Sequence, residues 1–178
     1  MVADRSGPNG AGCWRPAMAA AMAFALVCAS TAQAATRAGE PAPGCAFHLD
    51  KAQAAELRQY RGKVVYVDFW ASWCTSCLLS FPFLNGLDHA YAGRGLQVIG
   101  VNMDQRPADA TQFLARHPTS FAVALGDNQK CARAFGVEAM PSSFVIDRHG
   151  VIRVLHQGFR PGESRQLSAL VERLLNES

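Results

Sequence analysis

Charge is scarce in this chain. Of its 178 residues 17% are Asp, Glu, Lys or Arg, and seventeen cations against fourteen anions leave a formal charge of +3. With no dense basic run, the sequence gives no electrostatic footprint for nucleic acid or for a membrane surface. Repeats are absent, and so is low-complexity sequence beyond an alanine-rich beginning. No linker rich in Gly, Pro or Ser divides the chain into domains. The histidines His48, His89, His117, His149 and His156 are scattered. There is one C-x-x-C and no histidine pair, so a four-ligand zinc site has no donor set, and no metal is expected. No histidine follows Cys77, which excludes covalent haem attachment, and no other cofactor is expected.

What is present is an apolar chain, 49% hydrophobic, with a distinctive beginning. Arg5 and Arg15 precede an uncharged run from Ala17 to Ala29 that is too short to span a bilayer. The run leads to Ala32-Gln33-Ala34, with small residues at the two positions that signal peptidase reads. Residues 1–34 therefore read as a signal peptide cut after Ala34, which implies export to the periplasm. Cys28 is preceded by Val27 rather than by a small residue, which disfavours a lipoprotein. The mature chain carries 15 − 13 = +2 charges and keeps Cys45, Cys74, Cys77 and Cys131. In an oxidising compartment such cysteines can pair.

Residues 35–44, with Pro41 and Pro43, read as a flexible lead-in, and residues 45–178 as one domain. A short strand is predicted over Ala46–Leu49 and a short helix over Ala52–Tyr60. Val64–Phe69 is nearly all apolar and reads as a strand buried on both faces. A helix over Thr75–Tyr91, interrupted by Pro82, is followed by a buried strand, Leu96–Val101. Next come a helix over Pro107–His117, a strand over Phe121–Leu125 and a helix over Asn128–Phe135. A hairpin of Ser143–Ile146 and Val151–His156 precedes a closing helix, Pro161–Leu175. The alternation predicts an α/β fold with helices on both faces of a central sheet.

The chemistry concentrates at Trp73-Cys74-Thr75-Ser76-Cys77, between a buried strand and a helix. A cysteine at a helix N-terminus gains from unpaired N–H groups and the macrodipole, which favour its thiolate. Cys77, one turn further on, lies within disulfide reach. Cys74 is thus the expected nucleophile, and Cys77 the thiol that resolves the mixed disulfide. Asp68 lies inside the apolar strand, where burial raises a carboxyl pKa and suits it to acid–base work near neutral pH. Trp73, beside the first cysteine, is the expected substrate-facing platform. Trp70 serves equally well as packing.

Val67-Asp68-Phe69-Trp70-Ala71-Ser72-Trp73-Cys74-Thr75-Ser76-Cys77 resembles the active-site stretch of the thioredoxin family. Met140-Pro141-Ser142-Ser143-Phe144-Val145-Ile146-Asp147 resembles its second signature. A strand–helix insertion between the two, about Asn102 to Ala124, with the export signal, is similar to the TlpA/ResA/DsbE branch. The resemblance implies a thioredoxin fold: a central mixed β-sheet flanked by helices, with that insertion between the C-x-x-C helix and the cis-proline loop. It implies a redox-active Cys74–Cys77 disulfide, a cis-proline at Pro141, a specificity position at Met140 and a catalytic acid at Asp68. It further implies a reductase of oxidised protein substrates, of the cytochrome c maturation or copper-site assembly type. Electrons would come from a DsbD/CcdA-like membrane dithiol donor, and the chain would act as a monomer. Two departures stand out. Ser80 occupies a position where many members of the branch carry Glu, and the N-terminal β-hairpin looks shortened.

Cys45 and Cys131 form an even pair, and a structural disulfide between them is one reading; a buried core role for Cys131 is the other. Two functional alternatives use the same dithiol: a DsbA-like oxidant, or a Cu(I)-delivery module, to which Met103 and Met140 could contribute. A thiol peroxidase is weaker, because the Pro and Thr/Ser placement expected before a peroxidatic cysteine is absent.

Overall fold

The computed structural model describes residues 37–49 and 54–177. The signal-peptide reading of residues 1–34 lies outside them. Five strands form one mixed sheet in the order β5-β4-β3-β6-β7: β3 (Val64–Trp70), β4 (Leu96–Asn102), β5 (Ala122–Ala124), β6 (Ser142–Ile146) and β7 (Ile152–Gln157). β3, β4 and β5 run parallel, while β6 and β7 are antiparallel to their neighbours. β3 is the centre, and all seven of its residues are buried. That explains why its run is apolar at every position but one and makes Asp68 conspicuous.

Strand alternation sorts the core into two layers. Val64, Tyr66 and Trp70 face α1 (Thr75–Tyr91), α2 (Pro107–Arg116) and α4 (Ser164–Asn176). Val65, Val67 and Phe69 face α3 (Gln129–Phe135) and the N-terminal segment around Phe47. α2 begins with Pro107 in its first turn, where the missing N–H costs nothing. α3 stops at Gly136, whose φ of 66° is the left-handed cap that glycine adopts freely. The insertion forms as expected: α2 carries the chain from β4 to β5, which takes the sheet edge. No helix among the described residues is long and apolar enough to cross a membrane.

Two expectations need correction. The helix predicted over Ala52–Tyr60 is, where described, a strand β2 (Ala54–Glu56) followed by a 3-10 turn, Leu57–Tyr60. β2 pairs antiparallel with β1 (Ala46–His48), and the Leu57 N–H donates to the Cys45 carbonyl. Cross-strand pairing over a buried Phe47 overrides local helix propensity. The shortened hairpin is thus present, with three residues per strand. The described part of the lead-in is bonded rather than loose: Gly39 N–H donates to Ile152 O, Ile152 N–H to Glu40 O and Ala42 N–H to Gly150 O.

Candidate active site

The three parallel strands end on the same edge, and the loops that follow them build the site. In open α/β sheets such carboxyl ends are where ligands bind. After β3 the chain turns through Ala71, Ser72 and Trp73 and enters α1 with Cys74 as its N-cap. The Cys77 N–H donates to Cys74 Sγ at 3.2 Å, and the hydroxyl of Ser76 lies 3.6 Å from the same sulfur. Cys74 and Cys77 are joined as a disulfide with Cα atoms 5.3 Å apart. Cys77 is fully buried, while Cys74 keeps 6% of its surface exposed. Cys74 is thus the less enclosed of the two residues, and an N–H at a helix terminus favours negative charge on its sulfur.

Asp68 is completely buried on the β3 face that carries Tyr66 and Trp70, the face that α1 covers. Burial pushes its carboxyl up to about 7, against a counteracting hydrogen bond from Ser143. That bond, from Ser143 Oγ to Asp68 Oδ1, is 2.5 Å, and the two residues face each other across β3 and β6. The same carboxylate, together with burial, raises the Tyr66 phenol. A carboxyl that titrates near neutrality can both take and return a proton.

The Met140–Pro141 peptide is cis, and the loop continues directly into β6. Met140 is half-buried against the layer that holds Cys74 and Cys77. It lines a cavity of about 230 Å³ together with Met103, Gln129, Arg133 and Val137. Trp73 is 69% exposed, while Trp70 is fully buried against Phe81 and Phe113. Ser80 is buried and bonds its Oγ to the Cys77 carbonyl at 2.9 Å. Cys45 and Cys131 are also bonded, with Cα atoms 5.2 Å apart and a sequence separation of 86. Among the described residues no cluster of three His, Cys, Asp or Glu is placed to hold a metal.

Sequence reasoning missed a polar brace behind the redox loop. Asp104 accepts from the Ser72 N–H with both carboxylate oxygens at 3.1 Å and from Ser72 Oγ at 3.0 Å. Asn102 donates to Asp104 at 2.8 Å, and Asn128 in turn donates to the Asn102 carbonyl at 2.9 Å. The loops after β3, β4 and β5 are thereby tied together. The only signal was polar residues placed just past apolar strands.

A disulfide at a helix N-terminus, beside a mixed sheet whose central strand carries a buried acid, defines a thioredoxin-like site. Comparison with known proteins agrees. The family model described as Redoxin matches residues 37–172. The thiol-disulfide oxidoreductase ResA of Geobacillus thermodenitrificans is 27% identical over 128 residues, covering 72% of this chain and 74% of that protein. ResA of Bacillus thuringiensis is 28% identical over 136 residues, or 76% and 78% of the two chains. A solved structure described as a thiol:disulfide interchange protein DsbE, from Chlorobium tepidum, is 39% identical with a TM-score of 0.76. The match covers 80% of this chain and all of that one. The chain belongs to the Redoxin family, as a thiol–disulfide oxidoreductase of the TlpA/ResA/DsbE type.

Proposed function

We propose that the protein is a periplasmic reductase of protein disulfides, exported by the signal peptide read at residues 1–34. The observation that carries this reading is the inequality of the two cysteines: Cys74 caps α1 and receives the Cys77 N–H, while Cys77 is buried. Cys74 attacks a substrate disulfide and forms a mixed disulfide. Cys77 then attacks Cys74, gives its proton to Asp68 and releases the substrate thiol. Trp73, Met140 and Pro141 hold the substrate segment. Electrons come from a membrane dithiol donor of the DsbD/CcdA kind. Oxidised apocytochromes c or copper-site proteins are the substrate class, and the protein acts as a monomer. With Ser80 committed to the Cys77 carbonyl, the acid–base work falls on Asp68. Equilibration with glutathione tests the direction of transfer. A reduction potential well below that of DsbA, about −120 mV, is expected, and a value near it reassigns the protein as an oxidant.

One observation favours Cu(I) delivery as a second reading: Met103 and Met140 line a common cavity. Thioethers and thiolates suit Cu(I). Titration of the reduced protein with Cu(I) discriminates, because absence of uptake removes this reading.

A further inference from the structure

Two buried polar atoms on one face of β3 have no partner: the acceptor Asp68 Oδ2 and the donor Trp70 Nε1. Residues two apart on a strand share a face. Gly100 lies beside Asp68 in the parallel register with β4 and places no side chain between them. The indole fills that place. A Cβ on Gly100 would stand 3.2 Å from Trp70 Nε1 and 2.9 Å from the Phe121 ring. The Phe81 and Phe113 rings, with centroids 5.0 and 5.1 Å from the indole, hold it there. The N–H edge therefore lies over Gly100, the residue that pairs with Asp68 in the sheet, without a bond to the carboxyl in this disulfide form.

The groups facing Asp68 make this donor matter. Its own strand offers the Tyr66 phenol, and β6 offers Ser143, already bonded to Oδ1. β4 pairs Gly100 with Asp68, and Asn102 further along that face donates to Asp104. In α1, Cys77 belongs to the buried layer on this face, and Ser80 is bonded to the Cys77 carbonyl. α2 presents Ala110 and Phe113, and α4 presents Val171, Leu174 and Leu175. His156 on β7 continues the same row beyond Ser143 but is engaged by Glu163 at 3.2 Å. No Lys or Arg is among the buried residues described. An ionised Asp68 thus has neutral donors alone to stabilise it, and a carboxylate needs more than one.

We propose that the Trp70 indole N–H, unbonded in this disulfide form, becomes the second hydrogen-bond donor to Asp68 when the carboxyl is ionised, which makes Trp70 a positioning residue for the acid that takes the Cys77 proton. The proposal rests on the exchange reading above. In the step concerned, the Cys77 thiol transfers its proton to Asp68. The thiolate attacks Cys74, forming the Cys74–Cys77 bond and breaking the Cys74–substrate bond. The substrate sulfur leaves as thiolate with the electron pair, so the protein dithiol is oxidised and the substrate disulfide reduced. Trp70 holds Asp68 ionised beforehand and releases Oδ2 when the proton arrives.

The test is a proton–nitrogen correlation spectrum of the full chain with labelled indoles, recorded from about pH 5 to about pH 9 around the carboxyl midpoint. The Trp70 Nε1–H resonance is expected to move with the midpoint of the Asp68 carboxyl carbon, and to stay still in Asp68→Asn. In Trp70→Phe, which keeps a ring but no N–H, the Asp68 midpoint rises by about one to two pH units. The pH profile of mixed-disulfide resolution rises with it. A Trp70 resonance that is flat through the Asp68 titration overturns the proposal; so does an unchanged Asp68 midpoint in folded Trp70→Phe. The wild-type spectrum decides the matter even where the variant fails to fold. Failure of the exchange reading looks different: the coupled titration persists while no mixed disulfide can be trapped on Cys74.

Discussion

The backbone N–H of Cys77 donates to the Sγ of Cys74 across 3.2 Å, so the residue carrying the second sulfur solvates the first. The bond sits at the N-terminus of α1, where the helix field also favours negative charge. It separates the two cysteines by environment although their Cα atoms are 5.3 Å apart. On this asymmetry, alkylation of the reduced protein at neutral pH modifies Cys74 far faster than Cys77. Peptide mapping by mass spectrometry reads the ratio; equal labelling of both would contradict it.

Asp68 gives the protein a pH-dependent stability. Its carboxyl is raised from 3.8 to about 7 by burial, so the folded state holds a proton there that the unfolded chain has already lost. Stability from this group is complete below the unfolded value and declines as pH rises through about 7. Asp68→Asn removes the burden of the buried charge. The variant is therefore more stable than the wild type at pH above about 8, by about 4 kcal/mol at most. The difference shrinks toward acid pH, and disulfide resolution is slower. Urea titrations across pH measure the first effect. A gap between variant and wild type that does not change with pH would refute the linkage.

The Cys45–Cys131 bond spans 86 residues of sequence and fastens α3 to the N-terminal segment. Replacing both cysteines with serine is expected to cost about 2–4 kcal/mol, through the entropy the unfolded chain regains. Denaturant unfolding of the mature protein measures it. Two free thiols at these positions in the untreated protein would remove its basis.

Asp104 supports the redox loop from behind through Ser72 and Asn102. Asp104→Ala strands those donors in a buried setting. A loss of about 2–3 kcal/mol is expected, together with slower exchange as the loop before Cys74 relaxes. A variant with wild-type stability would show that the brace contributes little.

Much of the site was legible because chemistry and position coincide in it. Cys74 and Cys77 follow an uninterrupted apolar strand, and that strand has to be central. Asp68 was legible for the same reason, as a charge where none belongs. Its partner Ser143 lies 75 residues away, and only the register of β6 against β3 brings the two together. The Asp104 brace depended likewise on three strand ends meeting. Ala52–Tyr60 misled because its composition suits a helix, whereas pairing with β1 decides its conformation. The indole of Trp70 was read as packing or platform; its place over Gly100, on the neighbouring strand, needed the sheet register.

The account's central claim is the division of labour between the two cysteines. Cys77→Ser and Cys74→Ser proteins, each reduced and exposed to a disulfide-bonded protein substrate, test it by non-reducing electrophoresis and mass spectrometry. Cys77→Ser is expected to accumulate a stable mixed disulfide through Cys74, and Cys74→Ser to trap nothing. Adducts formed by Cys74→Ser alone would contradict the assignment of the nucleophile.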